Sequence, residues 1–306
     1  MLSEVSVRHL LNIDRLEDAD LAILIKRARA LADGAPPARV DRTVANLFFE
    51  PSTRTRVSFE LAAGRLGMTV VNMEMDRSSS IKGESLVDTA ATLDAMGVNC
   101  LVLRHPETGC HERLAAEAPA GMHLLNGGDG AGEHPSQALL DAATVANSGL
   151  DWSAITLAIV GDVRHSRVAR SGLKLFRRLG VGQLRVAGPT ELLPEPLDDA
   201  SIQVCESLET AVSDADFIMM LRVQRERMDA AGWPEPELYH RDWGLRQEHL
   251  ALARPGCRVM HPGPINRGME IETAVADGPQ SLILEQVRMG VFMRMAIFEW
   301  LFAGQQ

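Results

Sequence analysis

The chain has 306 residues, room for two domains with separate cores, and 46% of them are hydrophobic, the share of a folded globular protein rather than a disordered one. Its formal net charge of -10 argues against a general affinity for nucleic acid or anionic membrane. Any anion site must therefore be a local cationic pocket on an acidic body.

The N-terminus, MLSEVSVRHLLNIDRLEDAD, is charged early and carries no signal-peptide core. Short apolar runs at 44–49, 70–73, 100–103, 123–125, 155–160, 184–187, 202–204, 217–221 and 258–260 read as strands, and many are separated by stretches with helical spacing. This alternation predicts an α/β fold with parallel sheets. The strands are too many for one small sheet. The expected architecture is two domains, each a parallel sheet flanked by helices, with the active site in the interdomain cleft. The junction is placed near Asn147-Ser148-Gly149, giving domains over 1–148 and 149–285. Residues 192–199, with two prolines, read as a surface loop. The C-terminal stretch LILEQVRMGVFMRMAIFEWLF carries Glu285, Arg288, Arg294 and Glu299, which argues against a membrane span. It reads instead as a long helix, 286–306, expected to pack back on the first domain. The cysteines at 100, 110, 205 and 257 form no CxxC and no zinc-knuckle spacing, and read as reduced buried thiols.

Ligands of open parallel sheets bind beyond the carboxyl ends of the strands. In this chain those ends are polar in both halves. The first strand runs into Glu50-Pro51-Ser52-Thr53-Arg54-Thr55, the third into Arg104-His105-Pro106, and the fourth into Asn126, two glycines and His134-Pro135-Ser136-Gln137. In the second half Gly161-Asp162 is followed by Arg164, His165 and Arg167. Arg222 and Gln224 follow another strand, and His261-Pro262-Gly263-Pro264 the last. Arg, His and Gln recurring at several strand ends point to a site for an anionic small molecule.

Phe59, Ala62, Ala63 and Leu66 fall at helical spacing, so the first turn of that helix lies in 52–55. Its free N–H groups, the hydroxyls and the forked guanidinium of Arg54 together make a phosphate cradle. Simple N-capping by Ser52 or Thr53 is the competing explanation. Pro135 suits a first helical position, with His134 at the cap and Gln137 three residues on. The polar loop 77–84 reads either as a solvated loop or as an arm bringing Lys82 to an anion. VGDVRHSR at 160–167 has one glycine where a dinucleotide fingerprint needs three, and the 52–55 segment lacks the glycines of a Walker loop.

These motifs, in this order over nearly the whole chain, resemble the catalytic chains of the aspartate/ornithine carbamoyltransferase family. Ser136 stands where threonine is common in that family, and Arg267 is left without a role. Ornithine enzymes usually have His-Cys-Leu-Pro where this chain has His261-Pro262-Gly263-Pro264. The missing cysteine, with Arg167, Arg222 and Lys82, favours a dicarboxylate second substrate.

The resemblance implies carbamoyl transfer from carbamoyl phosphate to L-aspartate, without cofactor or metal, in pyrimidine biosynthesis in the cytoplasm. It implies a carbamoyl phosphate-binding first domain and an aspartate-binding second one. Ser52, Thr53, Arg54, Thr55 and Arg104 would hold phosphate, with Lys82 helping from a neighbouring subunit of a homotrimer. Thr55, Arg104 and His134 would polarise the carbamoyl oxygen. Gln137 and the backbone at Gly263 and Pro264 would hold the carbamoyl NH2, and Lys82, Arg167, Arg222 and Gln224 would bind aspartate. Glu50 would orient arginines rather than act as a base. Regulatory chains or a dihydroorotase are left open as further partners. A different carbamoyltransferase, or a non-catalytic scaffold subunit keeping the fold, are the alternatives; against the scaffold, every matched catalytic position is filled.

Overall fold

The computed structural model describes residues 7–74, 83–194, 199–224 and 235–304. The elements run α1 (Asp18–Ala32), β1 (Thr43–Phe48), α2 (Thr53–Arg65), β2 (Thr69–Glu74), α3 (Leu86–Ala95), β3 (Cys100–His105), α4 (Cys110–Glu117), β4 (His123–Asp129) and α5 (Pro135–Ala146). They continue with β5 (Thr156–Val160), α6 (Arg167–Arg178), β6 (Gln183–Ala187), β7 (Ile202–Val204), α7 (Leu208–Val212), β8 (Phe217–Met220), α8 (Pro236–Trp243), α9 (Gln247–Leu250), β9 (Arg258–Met260), α10 (Thr273–Ala276) and α11 (Ile283–Leu301). All nine strand runs read from the sequence lie on strands. The chain divides into two compact units, Met1–Ala143 with Val287–Gln306, and Thr144–Gln286.

The first unit holds a four-stranded parallel sheet in the order β2-β1-β3-β4. The apolar residues of β1, β3 and β4, Val44–Leu47, Cys100–Leu103 and Leu124–Leu125, are buried, as in a parallel sheet covered on both faces, whereas the edge strand β2 is largely exposed. Leu47, Leu101, Leu103 and Leu124 pack with Leu11, Leu93, Leu114 and Met122 into one core. Phe59 of α2 is fully buried and meets Phe298 of α11 edge to face at 5.9 Å between ring centres. Burying a ring of that size contributes ~1.5–3 kcal/mol and fixes how α2 lies. α11 is tied to α1 by Arg27 on Glu299 (2.5 and 2.9 Å) and by the Trp300 indole N–H on Asp20 (2.7 Å).

β3 and β4 run further than their apolar cores predict. Arg104 and His105 belong to β3, and Asn126 to Asp129 to β4. Backbone pairing and side-chain hydrogen bonds hold these polar ends in the sheet. The Asn126 amide donates to the Leu11 carbonyl at 2.7 Å, and its oxygen accepts from Gly128 N–H at 2.7 Å. Gly130 then turns the chain at φ +46°, where a Cβ would lie 2.5 Å from Thr108 Oγ1 and 2.6 Å from the Pro106 carbonyl, so only glycine serves there.

The second unit holds a five-stranded parallel sheet in the order β7-β6-β5-β8-β9. Its core combines Ala158, Val160, Ile218, Met220 and Val259 with Leu208, Val212, Leu245 and Ile271 from the covering segments. Ser166 and Ser207 cap α6 and α7, accepting from Ala169 N–H at 3.1 Å and Thr210 N–H at 3.2 Å. Among the described residues no helix is long and apolar enough to cross a membrane.

Candidate functional site

Each sheet has one place where the strand order reverses. In the first unit it lies between β1 and β3, in the second between β5 and β8. Helices following the two strands leave to opposite faces there, which opens a crevice at the carboxyl ends. Among the described residues, Ser52–Thr55 and Arg104 stand at the ends of β1 and β3, and Arg167, Arg222 and Gln224 beyond β5 and β8, while His134 and Gln137 come after β4 and Gly263 and Pro264 after β9.

In the first unit α2 begins at Thr53 immediately after β1. Ser52 occupies the N-cap position, yet its side chain makes no capping hydrogen bond. Arg56 N–H reaches the Ser52 carbonyl at 3.1 Å, so the helical ladder starts there and the preceding amides have no acceptor inside the helix. Capping by the Ser52 side chain therefore does not account for this segment. Thr53 and Arg54 are exposed, while Thr55 is buried. Across the switch point, Arg104 of β3 pairs in register with Phe48. Its Nε lies 3.2 Å from Glu50 Oε2, a charge contact rather than an aligned hydrogen bond, and its Nη1 donates to the Gly127 carbonyl at 3.2 Å. Glu50 and Gly127 thus hold the guanidinium at the strand end with its side chain 12% exposed.

His134 is 4% exposed and stands directly before α5, its carbonyl accepting from the Gln137 and Ala138 amides at 3.0 and 3.2 Å. Gln137 Nε2 donates to Asp141 Oδ1 at 3.0 Å. Ser136 is fully buried. Lys82 and residues 77–81 of its loop lie outside the described residues, as do residues 195–198 of the predicted surface loop.

In the second unit the organising group is Asp162, which follows β5 and is fully buried. One carboxylate oxygen accepts from Gln224 N–H at 3.0 Å. The other accepts from His165 N–H at 3.1 Å and lies 2.8 Å from His165 Nδ1. Arg222 Nη2 donates to Gln224 Oε1 at 3.1 Å, so both side chains after β8 are ordered together. Arg167 is the first residue of α6 and is 6% exposed. Glu270 is fully buried, and burial pushes its carboxyl up to about 7 against hydrogen bonds from its own backbone, Asn266 and the Val223 backbone. That carboxyl therefore touches the residue between Arg222 and Gln224. Gly263 takes φ +67° after β9, its N–H donating to His261 Nδ1 at 2.8 Å, and Pro264 is exposed. Arg267 makes a two-point ion pair with Asp277 at 2.8 Å on the surface.

Sequence reasoning assigned no role to Asp141, Asp162 or Glu270. Asp141 was discoverable as the residue one helical turn after Gln137. The contacts of Asp162 depend on β5 and β8 being neighbours, and those of Glu270 on a chain return, which no local pattern reveals. Among the described residues no group of three or more His, Cys, Asp or Glu side chains is placed to hold a metal ion. The four cysteines are free and buried.

Two family models match the chain. The carbamoyl-P binding domain of aspartate/ornithine carbamoyltransferases matches residues 8–147, and the Asp/Orn binding domain matches 153–301. The aspartate carbamoyltransferase catalytic subunit of Xanthomonas campestris pv. campestris is 49% identical, covering 98% of this chain and 97% of its own. That of Methylorubrum extorquens is 48% identical, with 95% and 94% covered. Among solved structures, the aspartate transcarbamoylase of Trypanosoma cruzi in complex with carbamoyl phosphate superposes with a TM-score of 0.83 at 34% identity, covering 96% of this chain and 95% of that one. Its complex with aspartate and phosphate gives 0.82 at 33%, with 96% of each chain covered. With both of its sheets and nearly all of its length accounted for in this way, the chain belongs to the aspartate/ornithine carbamoyltransferase family.

Proposed function

We propose that the chain transfers the carbamoyl group of carbamoyl phosphate to the amino group of L-aspartate, giving N-carbamoyl-L-aspartate and phosphate, as a step of de novo pyrimidine (UMP) biosynthesis. The observation that carries the reading is the β1/β3 switch point, where an uncapped helix start, Ser52-Thr53-Arg54-Thr55, stands with Arg104 held by Glu50 in a unit matched by the carbamoyl-P binding model. Relatives and structural neighbours named for aspartate support the choice of second substrate.

In this reading Ser52, Thr53, Arg54, Thr55 and Arg104 hold the phosphate through hydroxyl, amide and guanidinium donors. Thr55, Arg104 and His134 face the carbamoyl oxygen as it gains charge, and Gln137 with the Gly263 and Pro264 backbone takes the carbamoyl NH2. Arg167, Arg222 and Gln224 grip the aspartate carboxylates, and Lys82 reaches in from a neighbouring subunit. Carbamoyl phosphate is already an activated anhydride, so no covalent nucleophile is needed. The aspartate amine forms the new C–N bond, the C–O bond to phosphate breaks, and the departing phosphate takes the proton. Holding both reactants in attack geometry supplies ~7–11 kcal/mol of the barrier.

The reading extends to residues 1–148 as the carbamoyl phosphate-binding domain and 149–285 as the aspartate-binding domain, in a cytoplasmic homotrimer with shared sites. Regulatory chains or a dihydroorotase would join that trimer from outside. Mixing Arg54→Ala with Lys82→Ala chains tests the sharing. Activity returns in hybrids if sites are shared, and stays absent despite subunit exchange if each site comes from one chain.

The chemical assay is direct. Purified protein given carbamoyl phosphate should make carbamoyl-aspartate from aspartate and no citrulline from ornithine. Citrulline as the main product, or neither product, overturns the reading.

A further inference from the structure

The pairing of β3 with β4 slips beside the site. Leu103 stands opposite Asn126 and Arg104 opposite Gly128, so Gly127 is an extra residue on β4. A bulge of this kind interrupts the ladder and re-aims the side chains next to it. Here the displaced residue presents its carbonyl to the Arg104 guanidinium at 3.2 Å. The fit is tight, since a Cβ on Gly127 would lie 3.2 Å from the Leu103 carbonyl oxygen. With the ladder interrupted, something else must tie the two strand ends together.

His111 makes that tie. It is the second residue of α4 and is 1% exposed. Its Nε2 lies 2.7 Å from the Leu103 carbonyl oxygen. A carbonyl only accepts, so Nε2 carries a proton and donates it. Its Nδ1 lies 3.2 Å from Asp129 Oδ1, a close polar contact without hydrogen-bond alignment. One ring thus bridges β3, at the residue before Arg104, and β4, at its last residue. Asp129 is tied on in turn. Its Oδ1 accepts from Gly109 N–H at 2.9 Å, and its own N–H donates to the Glu133 carbonyl at 3.1 Å. Glu133 is buried, its side chain accepts from Ile13 N–H at 2.9 Å, and it directly precedes His134. A route from Arg104 to His134 therefore runs through Leu103, His111, Asp129 and Glu133 by contacts of 2.7, 3.2 and 3.1 Å. Burying a polar ring is costly unless it is partnered, and a leucine would cover β3 from α4 without asking for partners.

We infer that His111 and Asp129 are positioning residues that hold the ends of β3 and β4 in one geometry, so that Arg104 and His134 meet the same atom of the substrate. The inference deepens the carbamoyl transfer reading and rests on it. Neither His111 nor Asp129 touches the substrate. The carbamoyl oxygen is the atom on which the two donors converge, and its charge grows only as the amine attacks. The brace therefore acts on turnover more than on ground-state binding.

The test uses the full chain as wild type, His111→Leu, His111→Gln and Asp129→Asn. Rates of carbamoyl-aspartate formation give kcat and the aspartate KM. Calorimetry with inorganic phosphate gives a dissociation constant and the number of intact sites per chain. His111→Leu keeps the apolar contact and loses both polar ones, so kcat per intact site should fall about tenfold to a hundredfold. The aspartate KM and the phosphate dissociation constant should stay within about threefold. His111→Gln still offers an N–H to the Leu103 carbonyl and should bring kcat back to within about fivefold of wild type. Asp129→Asn keeps an acceptor for Gly109 but not the carboxylate, and should lower kcat by at least about threefold; it carries the test if His111→Leu fails to fold. Combined with His134→Ala, the change at 111 should cost less than the product of the two separate losses, because His111 acts partly through His134. Losses that multiply, turnover unchanged in every folded variant, or aspartate KM and phosphate binding weakening in step with kcat overturn the inference. A wild type that makes no carbamoyl-aspartate overturns the carbamoyl transfer reading instead.

Discussion

Asp162→Ala is the sharpest probe of the second unit. The carboxylate has no solvent exposure and serves three donors: Gln224 N–H, His165 N–H and His165 Nδ1. Its removal leaves two backbone amides in a half-buried setting without their acceptor, since the partly exposed imidazole can turn to water. Each orphaned donor costs ~1–3 kcal/mol. The segment after β8 recovers that energy only by moving, and Arg222 moves with Gln224 because their side chains are hydrogen-bonded. Taking ~1.4–4 kcal/mol as the loss in holding aspartate, kcat/KM for aspartate falls between about tenfold and a thousandfold. Asp162→Asn is no remedy, since its NH2 must face one of the same donors. The assay is carbamoyl-aspartate formation at saturating carbamoyl phosphate with aspartate varied, together with a calorimetric dissociation constant for carbamoyl phosphate and a melting curve. An aspartate saturation curve unchanged within about twofold, or carbamoyl phosphate binding lost in the same proportion, would refute the reasoning.

Glu270 makes stability pH-dependent. Its carboxyl ionises at about 7 in the folded unit against 4.5 in the unfolded chain, so its contribution is whole below 4.5 and is lost as pH rises through 7. At ~1.36 kcal/mol per pH unit this is ~3 kcal/mol, and Glu270→Gln should flatten the decline in melting temperature over that window; a parallel decline in both proteins would exclude Glu270 as its source. His134→Ala should reduce kcat by ~2.7–4 kcal/mol of lost oxyanion stabilisation while phosphate binding holds, and unchanged turnover would remove His134 from the chemistry. Burial pushes the Cys110 thiol up to about 11 and the Cys257 thiol up to about 12 and raises those of Cys100 and Cys205, so a thiol reagent should label all four cysteines only after denaturant is added. Rapid labelling of the native protein at neutral pH would contradict the packing.

The sequence made the architecture legible because each strand is an apolar run bounded by polar strand ends, and the period changes cleanly between strands and helices. The hydroxyl and arginine segment was legible for a related reason: four consecutive hydroxyl or guanidinium residues at a helix start are more polar than packing calls for, although Thr55 is buried. Other features were hidden by their dependence on tertiary neighbours. Arg104 looks like a loop residue until Glu50 and the register with Phe48 hold it in β3. Arg294, in a long apolar stretch, spoke only against a membrane span; a single charge looks the same in sequence whether it faces water or, as here, the Phe59 ring. Asp162 gains its meaning from the adjacency of β5 and β8, strands separated in the chain by two others that lie on the far side of β5.

The two units solve one problem with one device. At a switch point the chain must hold cationic or amide donors toward a crevice, and loops at strand ends are the least constrained part of a sheet. In each unit a carboxylate at the end of the strand before the crossover reaches to the end of the strand across it: Glu50 to Arg104, and Asp162 to the Gln224 amide. Such a tie orders the donors before any ligand arrives, so that less freedom is lost on binding. It also explains how an acidic chain can carry anion sites. A carboxylate placed behind the donors orients them, Glu50 partly screened by solvent and the buried Asp162 offset by the amides that donate to it, while the donors' outward faces remain turned to the crevice. The net charge of -10 and the proposed dianionic and dicarboxylate substrates are compatible because recognition at this distance is decided by which atoms face the crevice, and the carboxylates are the atoms that turn the others toward it.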